Sequence, residues 1–415
     1  MKSSSSTLLV LSPVVPYPPH DGDKLRIYMI LKGLKKQGYV IDLFCLTRIR
    51  EDLKYIDQLK LLCRRIHVSY LKTSDVVLNL VAAIGSGRSL NIWAYFSQSF
   101  RNELLNYYRS QENNITAVYC YRIRMAPYAF LNPKLSPVIL DLTDCLFSYF
   151  QMLQSQVSWA NWQYRILAWW EGKFLLKQEI SYAQKSNRTI VISATEAAKL
   201  QNEGVPRDKI VVVPNGMDDN FKKMKFKKPL LYRSYNPVLC FVGNMGYLPN
   251  EEGALWFLKK VWPFILKKYS HPLLVLAGGH PSRKLLRHSA QNVLITGYVF
   301  EIEGYLAGAS VSIAPLSIAV GMQNKIILSF LLGVPVVATS AAAAFLGPQA
   351  SQWLQVEDEA EKFAAAIIAV FENSRATEAR KKRAKFFALT QFSWERSMQM
   401  LRQALVEAPN IRFAE

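Results

Sequence analysis

Apolar segments alternate with amphipathic segments along the whole chain, in the order of repeated β-strand and α-helix units. The first unit runs from an apolar segment at 7–11 through a helical pattern at about 25–37 to a second apolar segment at 39–46. Two strands joined by a helix predict a parallel sheet with right-handed crossover connections. Further strands of this half are predicted at 66–71, 117–121, 138–141, 188–192 and 210–213.

The same alternation starts again in the second half of the chain. This second series is predicted to contain strands with their turns at 237–245, 272–279 and 292–299, and helices at 251–269, 360–373 and 394–406. The predicted fold class is therefore α/β, with two Rossmann-like, doubly wound parallel-sheet domains. Domains of this kind place the loops at their strand ends across a cleft from one another, where ligands bind.

A lysine-rich segment separates the two series. Five lysines crowd the stretch 222–228, and like charges at that density favour a solvated connector, although a direct contact with anionic lipid is also open. The predicted organisation is an N-terminal, acceptor-side domain at 1–218, a basic linker at 219–236 and a C-terminal donor domain at 237–390. A C-terminal helix at 391–415 is predicted to pack back towards the first domain.

The chain is strongly basic, with 51 Lys and Arg against 31 Asp and Glu and a net charge of +20. This charge attracts phosphorylated small molecules or an anionic membrane surface. It is divided evenly between the two halves, which disfavours a nucleic-acid partner. The five cysteines are scattered, and no histidine or carboxylate pair has metal-ligand spacing. We therefore expect reduced thiols, a cytoplasmic protein and no metal site.

Two segments of the first half mix aromatic with basic residues. Residues 146–182 contain Trp159, Trp162, Trp169 and Trp170 beside lysines, and residues 76–108 are similar. Such helices either contact a membrane surface or pack together and leave a basic face in water, and the sequence leaves both open. Neither segment predicts a membrane span. The uncharged stretch 326–356 is broken by glycine and proline, which predicts buried core.

A glycine-containing loop precedes a short apolar helix in the second half. Gly321 is followed by Gln323, Asn324 and Lys325, and Gly333 ends the predicted helix before a β-branched strand. Unpaired N–H groups at a helix N-terminus, with a lysine in the first turn, favour a phosphate or diphosphate. An ordinary strand-to-helix turn has the same pattern, so this loop alone does not identify a phosphate site.

Five motifs in a fixed order give the chain a family resemblance. They are PYPPHDGDKLR near the start, DLTD at 141–144, VVPNGMD at 212–218, FVGNMGYLPN at 241–250 and GMQNKIILSFLLGVPVVAT at 321–339. Together they resemble the GT-B glycosyltransferases, in particular the retaining family-4 class of exopolysaccharide and lipid-linked glycan synthesis. The resemblance implies transfer of a sugar from a UDP- or GDP-sugar to a glycan or lipid-linked acceptor. We expect neither a cofactor nor a metal ion. We also expect the protein to work peripherally at the inner face of the membrane.

The resemblance also implies a set of site residues. Lys325 would stabilise the leaving diphosphate electrostatically. The other implied donor-binding residues are Gly243, Asn244, Gly297, Tyr298, Val299, Gly321, Gln323 and Asn324. In the first domain, Asp141 and Asp144 would end a strand that faces the sugar. The acceptor-side loop would contain His20, Gly22 and Asp23. Purely structural roles are also open: the glycines can form turns at strand ends, and Asp144 can be a helix N-cap.

One departure from the family pattern bears on activity. The family has a glutamate three residues after the lysine, which holds the ribose hydroxyls, and a first glutamate eight residues before it. Here these positions are Leu328 and Val320. A charge-assisted contact of that kind contributes roughly 1.5–3 kcal/mol, and only Gln323 or Ser329 could supply a weaker replacement. The alternative hypothesis is a non-catalytic partner that binds a glycan, nucleotide or membrane surface. A sugar-nucleotide epimerase is a weaker third.

Overall fold

The structure is a computed structural model that describes residues 6–19, 21–110, 115–132, 137–156, 162–217 and 226–407. The chain divides into two compact units. One consists of residues 1–215 and 394–415, and the other of residues 216–393. The first unit therefore contains both ends of the chain, and the second is a single continuous segment.

The first unit is built on a seven-stranded parallel sheet within the described residues, in the order β3-β2-β1-β4-β5-β6-β7. Its strands are β1 (Thr7–Ser12), β2 (Val40–Thr47), β3 (Arg65–Tyr70), β4 (Ala117–Tyr121), β5 (Val138–Thr143), β6 (Arg188–Val191) and β7 (Ile210–Val212). The central strands β1, β4 and β5 are buried at every position, as a parallel sheet covered by helices on both faces requires.

Helices of the first unit connect these strands and cover the sheet. They are α1 (Gly22–Lys36), α2 (Ile56–Leu59), α3 (Thr73–Gly85), α4 (Leu90–Trp93), α5 (Gln98–Ser110), α6 (Ala126–Ala129), α7 (Leu146–Gln156), α8 (Trp162–Lys185) and α9 (Ala194–Asn202). Helix α1 begins earlier than its apolar pattern suggests, because the Asp21 side chain caps it by accepting from the Lys24 N–H at 2.8 Å.

The C-terminal helix α18 (Trp394–Val406) belongs to this first unit. Met398 packs so closely on α1 that a Cβ added at Gly33 would lie 2.5 Å from its side chain. Gln37 also donates its Nε2 to the Met398 carbonyl at 2.9 Å. Leu401 and Leu405 complete the apolar face of α18 in the same core as β1. The missing side chain at Gly33 is what lets the two helices approach.

The second unit has a six-stranded parallel sheet in its described residues, in the order β10-β9-β8-β11-β12-β13. Its strands are β8 (Val238–Val242), β9 (Leu273–Ala277), β10 (Val293–Ile295), β11 (Val311–Ala314), β12 (Val336–Ala338) and β13 (Gln355–Val356). Its helices are α10 (Leu248–Trp256), α11 (Trp262–Lys268), α12 (Arg283–Leu286), α13 (Ile302–Ala307), α14 (Asn324–Leu332), α15 (Ser340–Ala343), α16 (Ala360–Glu372) and α17 (Ser374–Gln391). The prediction of two doubly wound α/β domains is confirmed.

Two segments of the second unit differ from their sequence prediction. The helix predicted at 251–269 is two helices joined by a π-turn, Phe257–Val261, because Pro263 has no N–H to continue the regular ladder. Part of the segment interpreted as a linker is folded: Leu230–Ser234 forms a 3₁₀ helix, and Tyr232 is buried in the core of this unit. Residues 218–225 lie outside the described part.

Candidate functional site

Each sheet has one place where the strand order reverses, and this is where an α/β sheet opens a crevice for a ligand. In the second unit β8 lies beside β11, although β9 and β10 come between them in sequence. The connection that follows β8 therefore runs towards one edge of the sheet, and the connection that follows β11 runs towards the other edge. The loops at 243–247 and 315–323 flank the resulting crevice.

The loop after β8 is folded tightly against its neighbour. Gly278, with a φ of +142°, approaches so closely that a Cβ there would lie 1.8 Å from the Gly243 carbonyl oxygen. A Cβ at Gly243 would in turn lie 2.9 Å from the Asn250 amide nitrogen. The Asn250 Nδ2 donates to the Asn244 carbonyl at 2.9 Å, which holds the loop in place. Glycine at these two positions is thus a packing requirement of the site.

Lys325 joins the two loops of the crevice. Its Nζ donates to the Asn250 Oδ1 at 2.7 Å and lies 4.7 Å from the centre of the Phe241 ring. Among the described residues, no carboxylate forms an ion pair with this ammonium. Burial lowers the pKa of Lys325 to about 7. Desolvation disfavours the charged form of this lysine, and a bound anion would favour it. The group is therefore suited to binding an anion.

The helix N-terminus at Lys325 adds to this positive potential. Helix α14 begins at Asn324, and its N-cap residue, Gln323, makes no side-chain cap hydrogen bond. The Gln323 Nε2 instead donates to the Val320 carbonyl at 3.3 Å. The first N–H groups of a helix and its dipole both attract a phosphate. At the other end, Gly333 is left-handed and ends the helix as predicted.

The remaining predicted donor residues lie on the connections that follow β11 and β10. Gly321 is left-handed and turns the loop that precedes α14. Gly297 is also left-handed and forms an isolated bridge with Gly278, so the segment after β10 reaches the packed turn described above. Tyr298 is 75% exposed, and Val299 is half-buried. The predicted donor residues of the second unit thus lie on the connections that follow β8, β10 and β11, and β9 separates β10 from β8 in the sheet.

One of the two positions without a glutamate, Leu328, is accounted for by packing, whereas Val320 is half-buried in the loop before α14. Leu328 is buried in the core formed with Tyr232 and Cys240. Ser329 is fully buried and donates to the Lys325 carbonyl at 2.7 Å, so it has no access to a ribose. Gln323 is half-buried beside the helix N-terminus. Of the two possible replacements for the glutamate, Gln323 and Ser329, it is the accessible one.

The first unit has its own reversal of strand order, between β1 and β4. Arg122 directly follows β4 with a φ of +65° and is 9% exposed. Its Nη2 donates to the Asp23 carboxylate in the first turn of α1. Its Nη1 lies 3.4 Å from the Asp144 Oδ2 and 3.3 Å from the Leu142 carbonyl oxygen. One guanidinium therefore holds two of the predicted carboxylates together.

The pKa values of these two carboxylates are shifted in opposite directions. Burial raises the pKa of Asp144 to about 6, and Arg122 only partly opposes this effect. Burial also raises the pKa of Asp23, but Arg122 outweighs it and the net pKa is lowered. The Asp144 Oδ1 is buried and has no hydrogen-bond partner among the described residues. Carboxylates with opposed shifts are characteristic of functional sites.

Asp141 has a different role from the one predicted. It is fully buried, and it accepts from the Arg26 Nε at 3.1 Å and from the Thr143 N–H at 2.9 Å. Tyr119 donates its hydroxyl to the same carboxylate. With no surface left for a ligand, Asp141 anchors α1 to the sheet, which corrects its place among the catalytic candidates. Of the acceptor-side loop, Gly22 is the exposed first residue of α1, and His20 lies outside the described residues.

Two residues of the site were missed in the sequence. Arg122 could have been found as a basic residue at the end of the apolar strand AVYCY, and Asn250 as the last polar residue of the motif FVGNMGYLPN. Neither pattern reveals its partner. In the described parts of the chain, no three His, Cys, Asp or Glu side chains are grouped as metal ligands.

Two family profiles match the chain. The profile for glycosyl transferases group 1 matches residues 236–373, which include both loops of the second unit's crevice. The profile for glycosyltransferase family 4 matches residues 148–221. No curated protein matches this sequence.

Solved structures of similar fold cover nearly the whole chain. HepE of Anabaena, in complex with UDP-glucose, is 13% identical and covers 96% of this chain and 99% of its own, with a TM-score of 0.65. WaaG, a glycosyltransferase involved in lipopolysaccharide biosynthesis, is 12% identical and covers 97% and 100%, with a TM-score of 0.63. Sucrose-phosphate synthase from Thermosynechococcus elongatus is 14% identical and covers 96% and 98%, with a TM-score of 0.66. At these identities the likeness establishes the fold.

Proposed function

Because this chain is a family-4 glycosyltransferase, an enzyme that transfers a sugar from a nucleotide sugar, we propose that its acceptor is a lipid-linked or polysaccharide glycan. We propose further that it retains the anomeric configuration and needs no metal ion. The observation that carries the metal-independent donor site is the Lys325 ammonium at the N-terminus of α14, which has no carboxylate partner among the described residues.

The donor diphosphate is proposed to bind at Lys325 and the loop at 243–247. In the reaction, the bond from the sugar C1 to the phosphate oxygen breaks, and its electron pair stays on the leaving diphosphate. The acceptor oxygen bonds to C1 from the same face, and its proton passes to a phosphate oxygen. Lys325 and the α14 N–H groups stabilise the growing negative charge. The charged form of Lys325, which a bound diphosphate favours, and the N-terminus of α14 supply the positive charge that a metal ion would otherwise provide.

The acceptor side is proposed to use Asp144. The Asp144 side chain is 25% exposed, so its carboxylate can accept a hydrogen bond from a sugar hydroxyl, and a pKa of about 6 leaves most of it ionised at neutral pH. Asp23 and Arg122 hold it in position. WaaG, whose fold this chain shares, acts in lipopolysaccharide biosynthesis, which supports an acceptor anchored in lipid. We accordingly propose a cytoplasmic protein that works peripherally at the inner face of the membrane.

Donor binding is tested first, by thermal shift with UDP, UDP-glucose and GDP-mannose on the purified chain. HepE binds UDP-glucose, which makes a UDP-sugar the first candidate. A bound ligand raises the melting temperature with its concentration, and Lys325→Met should abolish the shift. The matched control is Lys260→Met, which removes an exposed lysine of the same unit. A flat response of the wild type to every nucleotide would contradict the proposed donor site.

Turnover is tested with lipid-linked glycans as acceptors. NMR of the product sugar gives the configuration at C1, and a chelator added to the reaction tests for a metal. Retention and full activity in the chelator are expected. Inversion, or loss of activity that a divalent metal restores, would contradict the mechanism. Nucleotide binding without any turnover would favour the non-catalytic role instead.

The position of the missing glutamate, Leu328, bears on the donor affinity. Without that carboxylate we expect a weak affinity for the nucleotide.

A further inference from the structure

Helix α3 presents an aliphatic face to solvent. Val77, Leu78, Val81 and Ile84 are 54%, 68%, 65% and 55% exposed. Their spacing of one, three and three residues places them along one side of the helix. The buried side of α3 packs Val76 into the fold. A helix on the surface of a water-soluble protein carries polar residues on its outer face, so this apolar one calls for a partner.

The N-terminal half of α8 presents a second apolar face. Trp162, Ile166 and Trp169 recur at helical spacing and are 60%, 58% and 54% exposed. Together with Arg165 and Gln154 they line an open cavity of about 340 Å³. Tryptophan is the residue that favours the boundary between lipid and water, because its ring is apolar and its N–H is polar.

The charges of α8 are sorted between its two sides. Both of its acidic residues are buried and used inside the fold: Glu171 accepts from the Asn91 N–H at 3.1 Å, and Glu179 from the Phe147 N–H at 2.9 Å. Lys173 and Lys177 are exposed. The described charges on the outer side of α8 are therefore all positive. This arrangement complements a surface of phosphate groups.

The loop that follows α3 contacts α8, the helix that carries the second apolar face. The Trp170 Nε1 donates to the Arg88 carbonyl at 3.0 Å, just past the end of α3. The Arg88 guanidinium lies 4.2 Å from the centre of the Trp93 ring. A Cβ added at Gly87 would be 3.2 Å from the Phe174 ring. These contacts fix the end of α3 against the middle of α8.

We propose that the exposed apolar side chains of α3 and of the N-terminal half of α8 dock the first unit on an anionic lipid bilayer. The aliphatic and indole groups enter the interfacial region, and the lysines of α8 pair with lipid phosphates. A second copy of the chain is a poorer occupant, because two surfaces with the same positive charge repel each other. Among the described helices, none has the length and apolar character of a bilayer span.

This inference deepens the proposed function, on which it rests for its biological sense: a bilayer surface is where a lipid-linked acceptor is found. The two remain separable by experiment. Binding to vesicles requires no turnover, and turnover on a short water-soluble acceptor requires no membrane. Failure of one measurement therefore leaves the other unaffected.

The test is sedimentation with vesicles of phosphatidylcholine, with and without phosphatidylglycerol. Wild type should bind the anionic vesicles, and Leu78→Asp and Val81→Asp should each lower the partition coefficient by about tenfold. Both side chains are exposed, so the fold should survive, and an unchanged melting temperature verifies this. The control is Leu61→Asp, at a leucine of the same unit that is 83% exposed, and it should bind as wild type does.

The electrostatic part is tested by Lys173→Glu with Lys177→Glu. Binding to anionic vesicles should fall, whereas Lys260→Glu in the second unit should change it little. No binding of wild type to anionic vesicles would overturn the proposal, and so would equal binding by Val81→Asp and wild type. Sedimentation velocity without lipid gives the remaining outcome. A dimer that Val81→Asp converts to a monomer would identify a second copy as the occupant and overturn the membrane assignment.

Discussion

The two crevices of this protein have the same topology and opposite electrostatics. In each sheet a strand reversal brings a strand end next to the first turn of a helix. In the second unit the key group is a cation, Lys325, held by the neutral side chain of Asn250. In the first unit a cation, Arg122, is matched by two carboxylates. We propose that Lys325 binds a diphosphate and that Asp144 accepts a hydrogen bond from a hydroxyl group.

This difference teaches that the topology of a doubly wound sheet selects the place of a site but not its ligand. The ligand depends on whether the charge at the strand end is neutralised within the protein. Arg122 is neutralised by Asp23 and Asp144 and so acts on their position and pKa. Within the described residues, the partners of the Lys325 Nζ are the neutral Asn250 side chain and the Phe241 ring.

The largest effect is expected from Lys325→Met, which keeps the volume of the side chain and removes its charge. Turnover should fall by about 10²–10³-fold, the size of effect seen when one preorganised electrostatic group is lost. Stability should not fall, because a partly desolvated ammonium is replaced by an apolar group. Steady-state kinetics and thermal unfolding measure the two quantities, with Lys260→Met as the control. Unchanged turnover would remove Lys325 from the site.

Arg122→Leu should act mainly on the fold of the first unit. Two neighbouring carboxylates would lose their shared cation, and we expect a loss of about 2–3 kcal/mol in the free energy of unfolding. Denaturant unfolding measures this loss. The double variant Arg122→Leu with Asp144→Asn should recover part of it, because one unpaired charge is removed. A loss that the second substitution does not reduce would contradict the assigned pairing.

Asp144→Asn removes the negative charge at the acceptor side and keeps the size of the side chain. The folded pKa of Asp144, about 6, lies above its ordinary value of 3.8. Wild-type stability is therefore lost as the pH rises through this interval, and the neutral variant avoids the loss. Above pH 6 we expect the variant to be more stable by about 1–3 kcal/mol, with little difference below pH 4. Turnover should fall by roughly tenfold. A stability difference independent of pH would contradict the raised pKa.

The smallest signal is the proton taken up when the donor binds. Between the folded pKa of Lys325, about 7, and its ordinary value of 10.5, the free site holds a neutral amine. A bound diphosphate favours the charged form. Near pH 8 we therefore expect uptake of up to about one proton per donor, and much less near pH 6. Calorimetry in buffers of different ionisation enthalpy measures this, and Lys325→Met should abolish it. Equal uptake at both pH values would point to another group.

Local patterns in the sequence predicted much of the fold and indicated candidate residues for the site. Buried strands such as β8 are continuous apolar runs, and Gly333 marks a helix end because only glycine adopts that backbone easily. Lys325 became a candidate for the same reason: a glycine loop and a helix start are local features. Asp141 was misplaced because a carboxylate at the end of a strand looks the same in sequence whether it faces a ligand or Arg26.

What the sequence determined by itself was thus the strands, the helices, the division into two α/β domains and the lysine at a helix start. Only the tertiary structure decided the partners: Asp23 for Arg122, 99 residues away, and Asn250 for Lys325, 75 residues away. Periodicity and turn chemistry act over a few neighbouring residues, whereas these pairs depend on which strands become neighbours in the sheet. Strand order brings the side chains together, and their mutual distances then determine charge, burial and pKa.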